Sequence, residues 1–373
     1  MTQEVPEIIW INIFVAVVLP ASACNSGPTA ESTSPNISSE RVVGTMRSVR
    51  EYQLARLPDD RTLRGWQHCA FYVGMMAAYR ATGEQAYLDS TRAWAERNEW
   101  QFGPRKRHAD HQCVGQVYLE LYEETSEAYR IGPTRSAIRK VTNDPRPGHE
   151  VWDWADALFM APPVLARLGA ATGNDRYFDV LASQYWDASA PLYDSEYAFY
   201  YRDTRFIDQE TENGRNVFWS RGNGWVLAGL ARILQVLPEQ HSARSRFEQR
   251  FRTMAQSVAT VQGERGYWYP SLLDPADVPT RETSGTGFFC YALAWGINEG
   301  HLSREAYEPV VRRAWEALEE AVNERGRLGW VQPSGAHPAP ATRTDTYPYG
   351  SGALLLAGSE IIYLLGGDGA GKP

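Results

Sequence analysis

The chain has 373 residues, 43% of them hydrophobic and 22% charged, enough for one large domain or two smaller ones. Its net charge of -8 argues against a nucleic-acid partner, because a phosphate backbone selects a basic face, and an anionic small ligand would have to be met by local arginines. Thirteen Trp and 20 Tyr suit a protein that stacks sugar rings, although a large helical core uses such residues too.

The N-terminal run from Ile8 to Leu19 is apolar but too short to span a bilayer, and Ala21-Ser22-Ala23-Cys24 follows it. This pattern predicts a signal peptide or lipoprotein leader over residues 1–24, despite Glu4 and Glu7 where basic residues are usual. The protein is therefore expected to be exported, periplasmic or held at a bacterial envelope, with membrane contact only through a lipid on Cys24. Residues 25–40 are rich in Ser, Pro, Thr and Asn and read as a flexible linker. Residues 41–366 read as one folded domain. Cys69, Cys113 and Cys290 stand alone in apolar stretches and are expected as buried free thiols.

Within that domain a plan repeats. An aromatic or glycine-bearing start leads into an apolar helix, and a more amphipathic partner follows. The starts fall at Trp66, Asp110, Asp156, Arg221, Thr283 and Tyr349, after a first helix near residues 40–57. The turns Ala81-Thr82-Gly83 and Ala171-Thr172-Gly173 occupy matching places in their units. Six such pairs predict an all-α fold, an (α/α)6 barrel, with apolar inner helices and all six starts at one end. Phe199-Tyr200-Tyr201-Arg202 and Gly266-Tyr267-Trp268-Tyr269 are expected as short β-hairpins around that mouth.

The starts carry the candidate chemistry. Asp156 follows Trp152-Asp153-Trp154-Ala155 and stands at a helix N-terminus, so it is either a capping residue or an acid in a sugar pocket. Arg221 lies between Trp219 and Trp225 with Asn223 beside it. Its guanidinium would fork onto a ligand carboxylate, or else pair with Asp153 or Asp110. His108, Asp110 and His111 are too few for a metal set. The chain holds no CxxC, HExxH, phosphate-loop or dinucleotide pattern, so neither metal nor cofactor is expected.

The strings His108-Ala109-Asp110, Trp154-Ala155-Asp156-Ala157-Leu158-Phe159-Met160-Ala161-Pro162-Pro163, Phe218-Trp219-Ser220-Arg221-Gly222-Asn223-Gly224-Trp225 and Glu282-Thr283-Ser284-Gly285 resemble glycoside hydrolase families 105 and 88, the unsaturated uronyl hydrolases. The resemblance implies an (α/α)6 barrel. It also implies release of the 4,5-unsaturated uronic acid that polysaccharide lyases leave at a non-reducing end, by hydration of its vinyl ether. By this resemblance Asp156 is the general acid and Asp110 the second acidic residue. Trp219, Arg221 and Trp225 would line the uronate site with Asn223 and Trp154, and His149 is a candidate for a binding histidine. Many relatives have two acidic residues where this chain has Asp110-His111, which leaves open which of the two side chains fills that position. An unsaturated oligosaccharide, with rhamnogalacturonan disaccharide first, is the expected substrate. The alternatives are another carbohydrate enzyme on the same ring, an inverting glycosidase or sugar epimerase, and a non-catalytic sugar-binding ring.

Overall fold

A computed structural model of the chain describes residues 37–58, 63–144 and 146–366. The expected leader, Cys24 and most of the linker lie outside the described residues. The linker's last two positions, Ser39 and Glu40, belong to the first helix, whose N-terminus is capped by the Ser38 hydroxyl accepting from Arg41 N.

The helices run, in order, α1 (Ser39–Leu54), α2 (Trp66–Thr82), α3 (Gln85–Arg97), α4 (Ala109–Gln112), α5 (Val114–Thr125), α6 (Gly132–Asn143), α7 (Gly148–Val151) and α8 (Ala157–Met160). Then come α9 (Pro162–Thr172), α10 (Arg176–Ser189), α11 (Ser220–Leu234), α12 (Arg244–Thr260), α13 (Thr283–Asn298), α14 (Arg304–Glu320) and α15 (Pro348–Gly366). Six of them form the inner ring: α2, α5, α9, α11, α13 and α15 pack each on the next, and α15 closes on α2. Behind α2, α9, α11 and α13 lie α3, α10, α12 and α14, while α6 reaches α5 through a short turn. The sequence left the sixth inner helix without a partner, and α1 fills that place against α15.

Burial separates the two layers. Every residue of α11 is buried, as are Thr283 to Ile297 of α13. Outer α12 buries only the stripe Phe247, Phe251, Met254, Ala255 and Val258, the spacing of one helix face. Each of its phenylalanines contributes roughly 1.5–3 kcal/mol by leaving water. The two matching turns end α2 and α9 with Gly83 and Gly173 at φ 70° and 62°, a left-handed cap that glycine adopts without strain. Where the ring closes, a Cβ on Gly352 would lie 2.1 Å from the Ala70 carbonyl oxygen, so glycine lets the α2 and α15 backbones touch.

The end of the ring away from the starts is tied by charge. The carboxylate of Glu120 on α5 meets Arg167 at 2.8 Å, Arg232 at 2.7 Å and Arg80 at 3.5 Å. Burial alone would raise its pKa, but the three guanidinium groups outweigh burial and bring it down to about 2. A cavity of about 410 Å³ opens among these residues.

Among the described residues one hairpin is present, β1 (Tyr193–Asp194) with β2 (Phe199–Tyr200), antiparallel, with Tyr193 opposite Tyr200. The second expected hairpin is not formed. Gly266–Tyr269 makes a single bridge, Trp268 to Glu282, because its partner is the approach to α13 rather than a neighbouring strand. Cys69, Cys113 and Cys290 are buried free thiols.

Candidate active site

The hairpin sets the geometry of the mouth. After β2 the chain runs beside the segment that enters α8: Trp154 bridges Asp203, and Ala155 N donates to the Arg202 carbonyl at 2.7 Å. Consecutive extended residues point to opposite sides, so this pairing fixes where Arg202 and Asp203 project relative to Asp156. Asn223 anchors the hairpin to α11. Its Oδ1 accepts from Tyr200 N at 2.7 Å, and its Nδ2 donates to the carbonyls of Tyr200 and Trp219, each at 3.0 Å.

Asp156 stands where α8 begins but caps nothing, since its side chain bonds no backbone amide of the helix. Its Oδ1 is buried without a hydrogen-bond partner, and its Oδ2 lies 3.9 Å from Arg202 Nε. Burial raises its pKa to about 6; Arg202 and Arg221 pull it down, while Asp110 and Asp203 push it up. Asp110, on α4, is also raised to about 6 by burial, against Arg105 and Arg202. Asp203 behaves oppositely. Its hydrogen bonds to Arg205 and Arg202 overcome burial and lower it to about 2. One neighbourhood thus holds two carboxyls that retain a proton in mildly acidic solution and one that is ionised throughout, the division of labour that acid–base chemistry requires.

Asp110, Trp154, Arg202, Asp203, Arg205 and His108 line a cleft of about 390 Å³. The half-buried Trp154 packs on His108 with ring centroids 5.0 Å apart, leaving an indole at the cleft wall. His108 lies 3.8 Å from the Asp110 carboxylate, and its pKa is lowered by burial and by Arg105. His111 is turned away from this work, because its Nδ1 accepts from Arg105 N at 2.9 Å. Of the two neighbours left open by the sequence, Asp110 is the one whose charge Asp156 feels.

Several expected binding residues have their polar groups or ring faces engaged within the protein. Arg221 is 1% exposed; its Nη1 donates to the Gln332 carbonyl at 2.6 Å and its Nη2 to that of Pro333 at 2.9 Å. Its cation lies over the rings of Trp219 and Tyr349, at 4.4 and 4.9 Å. Arg221 therefore staples the 332–333 loop to the ring through both terminal nitrogens rather than pairing with Asp153 or Asp110, while its Nε, near Asp156, is buried without a hydrogen-bond partner. Trp219 is buried, donating from Nε1 to Gln332 Oε1 at 2.9 Å. Trp225 is enclosed by Phe288, Phe159 and Trp66, which leaves no free face for a sugar. Asn223 has both side-chain polar atoms committed to backbone, so it positions the hairpin. His149 is exposed and bound to Asp187 on α10 at 2.7 Å, apart from the cleft residues. Glu282, also at a start, caps α13 through Ser284 N and Gly285 N. Sequence reasoning missed Arg202, Asp203 and Arg205; their signal was a charged cluster directly after an aromatic strand.

A closed ring of paired helices with acidic side chains at one mouth has the architecture of an (α/α)6-barrel enzyme. Glycosyl Hydrolase Family 88 matches residues 38–365. The chain is 37% identical over 318 residues to an unsaturated 3S-rhamnoglycuronyl hydrolase of Formosa agariphila, covering 80% of this chain and 84% of that protein. Among solved structures, one titled a polysaccharide lyase is 36% identical, with a TM-score of 0.83 over 88% of this chain and 98% of that one. A family 88 glycosyl hydrolase from Bacteroides vulgatus is 32% identical, with a TM-score of 0.83 over 87% of this chain and 99% of that one. The chain belongs to Glycosyl Hydrolase Family 88 and is a glycosidase.

Proposed function

We propose that this enzyme removes the 4,5-unsaturated uronyl residue from the non-reducing end of lyase-generated oligosaccharides by hydrating its vinyl ether. The observation that carries this reading is Asp156: a largely buried carboxyl, its side chain 14% exposed, whose pKa is raised to about 6 and whose Oδ1 has no partner inside the protein. Protonating carbon demands a carboxylic acid that still holds its proton at working pH. The Asp156 proton passes to C4, and the C4–C5 π electrons form the new C–H bond. The cation at C5, shared with the ring oxygen, takes up water, whose proton leaves to the carboxylate of Asp156 or Asp110. The resulting hemiketal opens and the glycosidic bond breaks without further help. Trp154 supplies the stacking face.

Within that class, the Formosa relative points to an unsaturated uronyl–rhamnose disaccharide of the 3S-rhamnoglycuronyl kind, and the rhamnogalacturonan disaccharide becomes the comparison substrate. A turnover screen over unsaturated disaccharides from several lyases, with and without a 3-O-sulfate on rhamnose, tests the reading. Loss of the ultraviolet absorbance of the double bond supports it. The lyase title of one solved relative supplies a second reading, in which that absorbance appears from a saturated polymer instead. The apolar run before Cys24 supports delivery of the domain to the cell envelope, tested by fractionating cells that express the full chain.

A further inference from the structure

We propose that Asp203 is a positioning residue for this reaction: its carboxylate captures Arg202 and so keeps that guanidinium from closing on the acid, Asp156. This deepens the hydrolase reading and rests on it.

Arg202 has two carboxyls within reach. Its Nη1 donates to Asp203 Oδ2 at 2.8 Å, while its Nε stands 3.9 Å from Asp156 Oδ2. A shift of about 1 Å would turn the second approach into a hydrogen-bonded ion pair. The backbone decides which carboxyl wins. Asp203 bridges Trp154, just before Asp156, and the Arg202 carbonyl accepts from Ala155 N at 2.7 Å. Asp203 is itself pinned on both oxygens. Arg205 donates to Oδ1 from Nε at 2.8 Å and from its backbone N at 3.1 Å, and to Oδ2 from Nη2 at 2.9 Å. The anion that holds Arg202 is thus fixed by its neighbour and by the bridge.

The restraint matters because protonating carbon needs a neutral Asp156. Arg202 and Arg221 favour its anion, and Asp110 and Asp203 oppose it. The terminal nitrogens of Arg221 are taken by the carbonyls of Gln332 and Pro333, and Asp203 takes Nη1 of Arg202. Asp203 therefore acts on the acid twice, as a nearby anion and as the anchor of a cation. Arg202 also bears on Asp110, so both carboxyls respond together. Asp153 lines the same cleft and bears on His108 and Arg205, while His108 and Arg105 face Asp110. Those groups stay the same in every variant below.

The test measures kcat/KM against pH on an unsaturated uronyl disaccharide for the wild-type protein, Asp203→Asn, Asp203→Glu and Arg202→Met. Wild-type turnover is required first; its absence would sink the hydrolase reading itself. Given that turnover, the limb that falls through about 6 should move down by about one pH unit in Asp203→Asn. The loss of kcat/KM should then be roughly tenfold at about pH 7 and slight at about pH 4. Asp203→Glu keeps the anion and should hold the limb near its wild-type position. Arg202→Met removes the cation and should move the limb up. A loss in Asp203→Asn that is equal at every pH would overturn the proposal and leave Asp203 a scaffold for the hairpin. So would a limb in Asp203→Glu displaced as far as in Asp203→Asn. If Asp203→Asn does not fold, an unmoved limb in Arg202→Met overturns the proposal equally.

Discussion

Arg202 Nε stands 3.9 Å from Asp156 Oδ2, close enough to favour the charged carboxylate but too far to bind it. Burial wins the contest, and the Asp156 pKa rises to about 6 instead of sinking as in a tight ion pair. An acid and a cation thus share one corner without cancelling each other.

The pH profile follows from that balance. Activity needs the protonated acid, so kcat/KM should decline as pH rises through about 6, the value to which Asp156 is raised. Because Asp110 is raised to a similar value, the limb reports the pair. In Arg202→Lys, where a flexible ammonium shields the carboxyl less closely, the limb should move to higher pH, and initial rates across the acid and alkaline sides of neutrality would reveal it.

Asp156→Asn should abolish turnover, with a loss in kcat on the order of a thousandfold or more, while substrate still binds. Its stability should also change with a definite sign. The folded state holds the Asp156 proton up to about 6, against an ordinary 3.8, so stability drawn from the protonated form is complete below the lower value and lost on rising through the upper one. Removing the ionisable group should therefore raise stability at about pH 8 by about 2–3 kcal/mol and change little near about pH 4. Denaturant unfolding at the two pH values checks both halves.

Glu120 predicts the reverse dependence. Three arginines hold its pKa at about 2, below the ordinary 4.5, so its contribution is present above 4.5 and lost as pH falls toward 2. Glu120→Ala leaves Arg80, Arg167 and Arg232 without their shared anion and should cost about 3–5 kcal/mol at neutral pH. Urea midpoints would register the loss, and the KM at the far mouth, measured below the variant's melting point, should not move.

Asn223→Ala strips the partners from Tyr200 N and Tyr200 O inside the protein. Two orphaned backbone groups should cost about 2–4 kcal/mol. Because this hairpin leads into Arg202 and Asp203 at the cleft, the surviving enzyme should also show a lowered kcat/KM, measured below its own melting point.

The ring was legible because its signals are local. Apolar-all-round stretches such as Phe288–Tyr291 and striped ones such as Phe247–Val258 need only their own spacing to declare inner and outer helices. Asp156 stood out as a candidate because a carboxyl among indoles is costly unless it is used. Arg221, Asn223 and Trp225 misled for a shared reason: a polar or aromatic residue at a helix start suits a pocket and a packed junction equally. Gln332, Tyr200 and Phe288 decide between the two, and they come from distant segments that no local pattern connects. Arg202 escaped notice by the same logic, since its place depends on the bridge between Trp154 and Asp203.

The most direct test of proton delivery by Asp156 is to run the reaction in D2O and follow its first product by NMR. Delivery from this carboxyl predicts one deuterium at C4, placed on a single face as the double bond disappears, and none with Asp156→Asn. A first product that leaves with the double bond intact and no deuterium at C4 would contradict it.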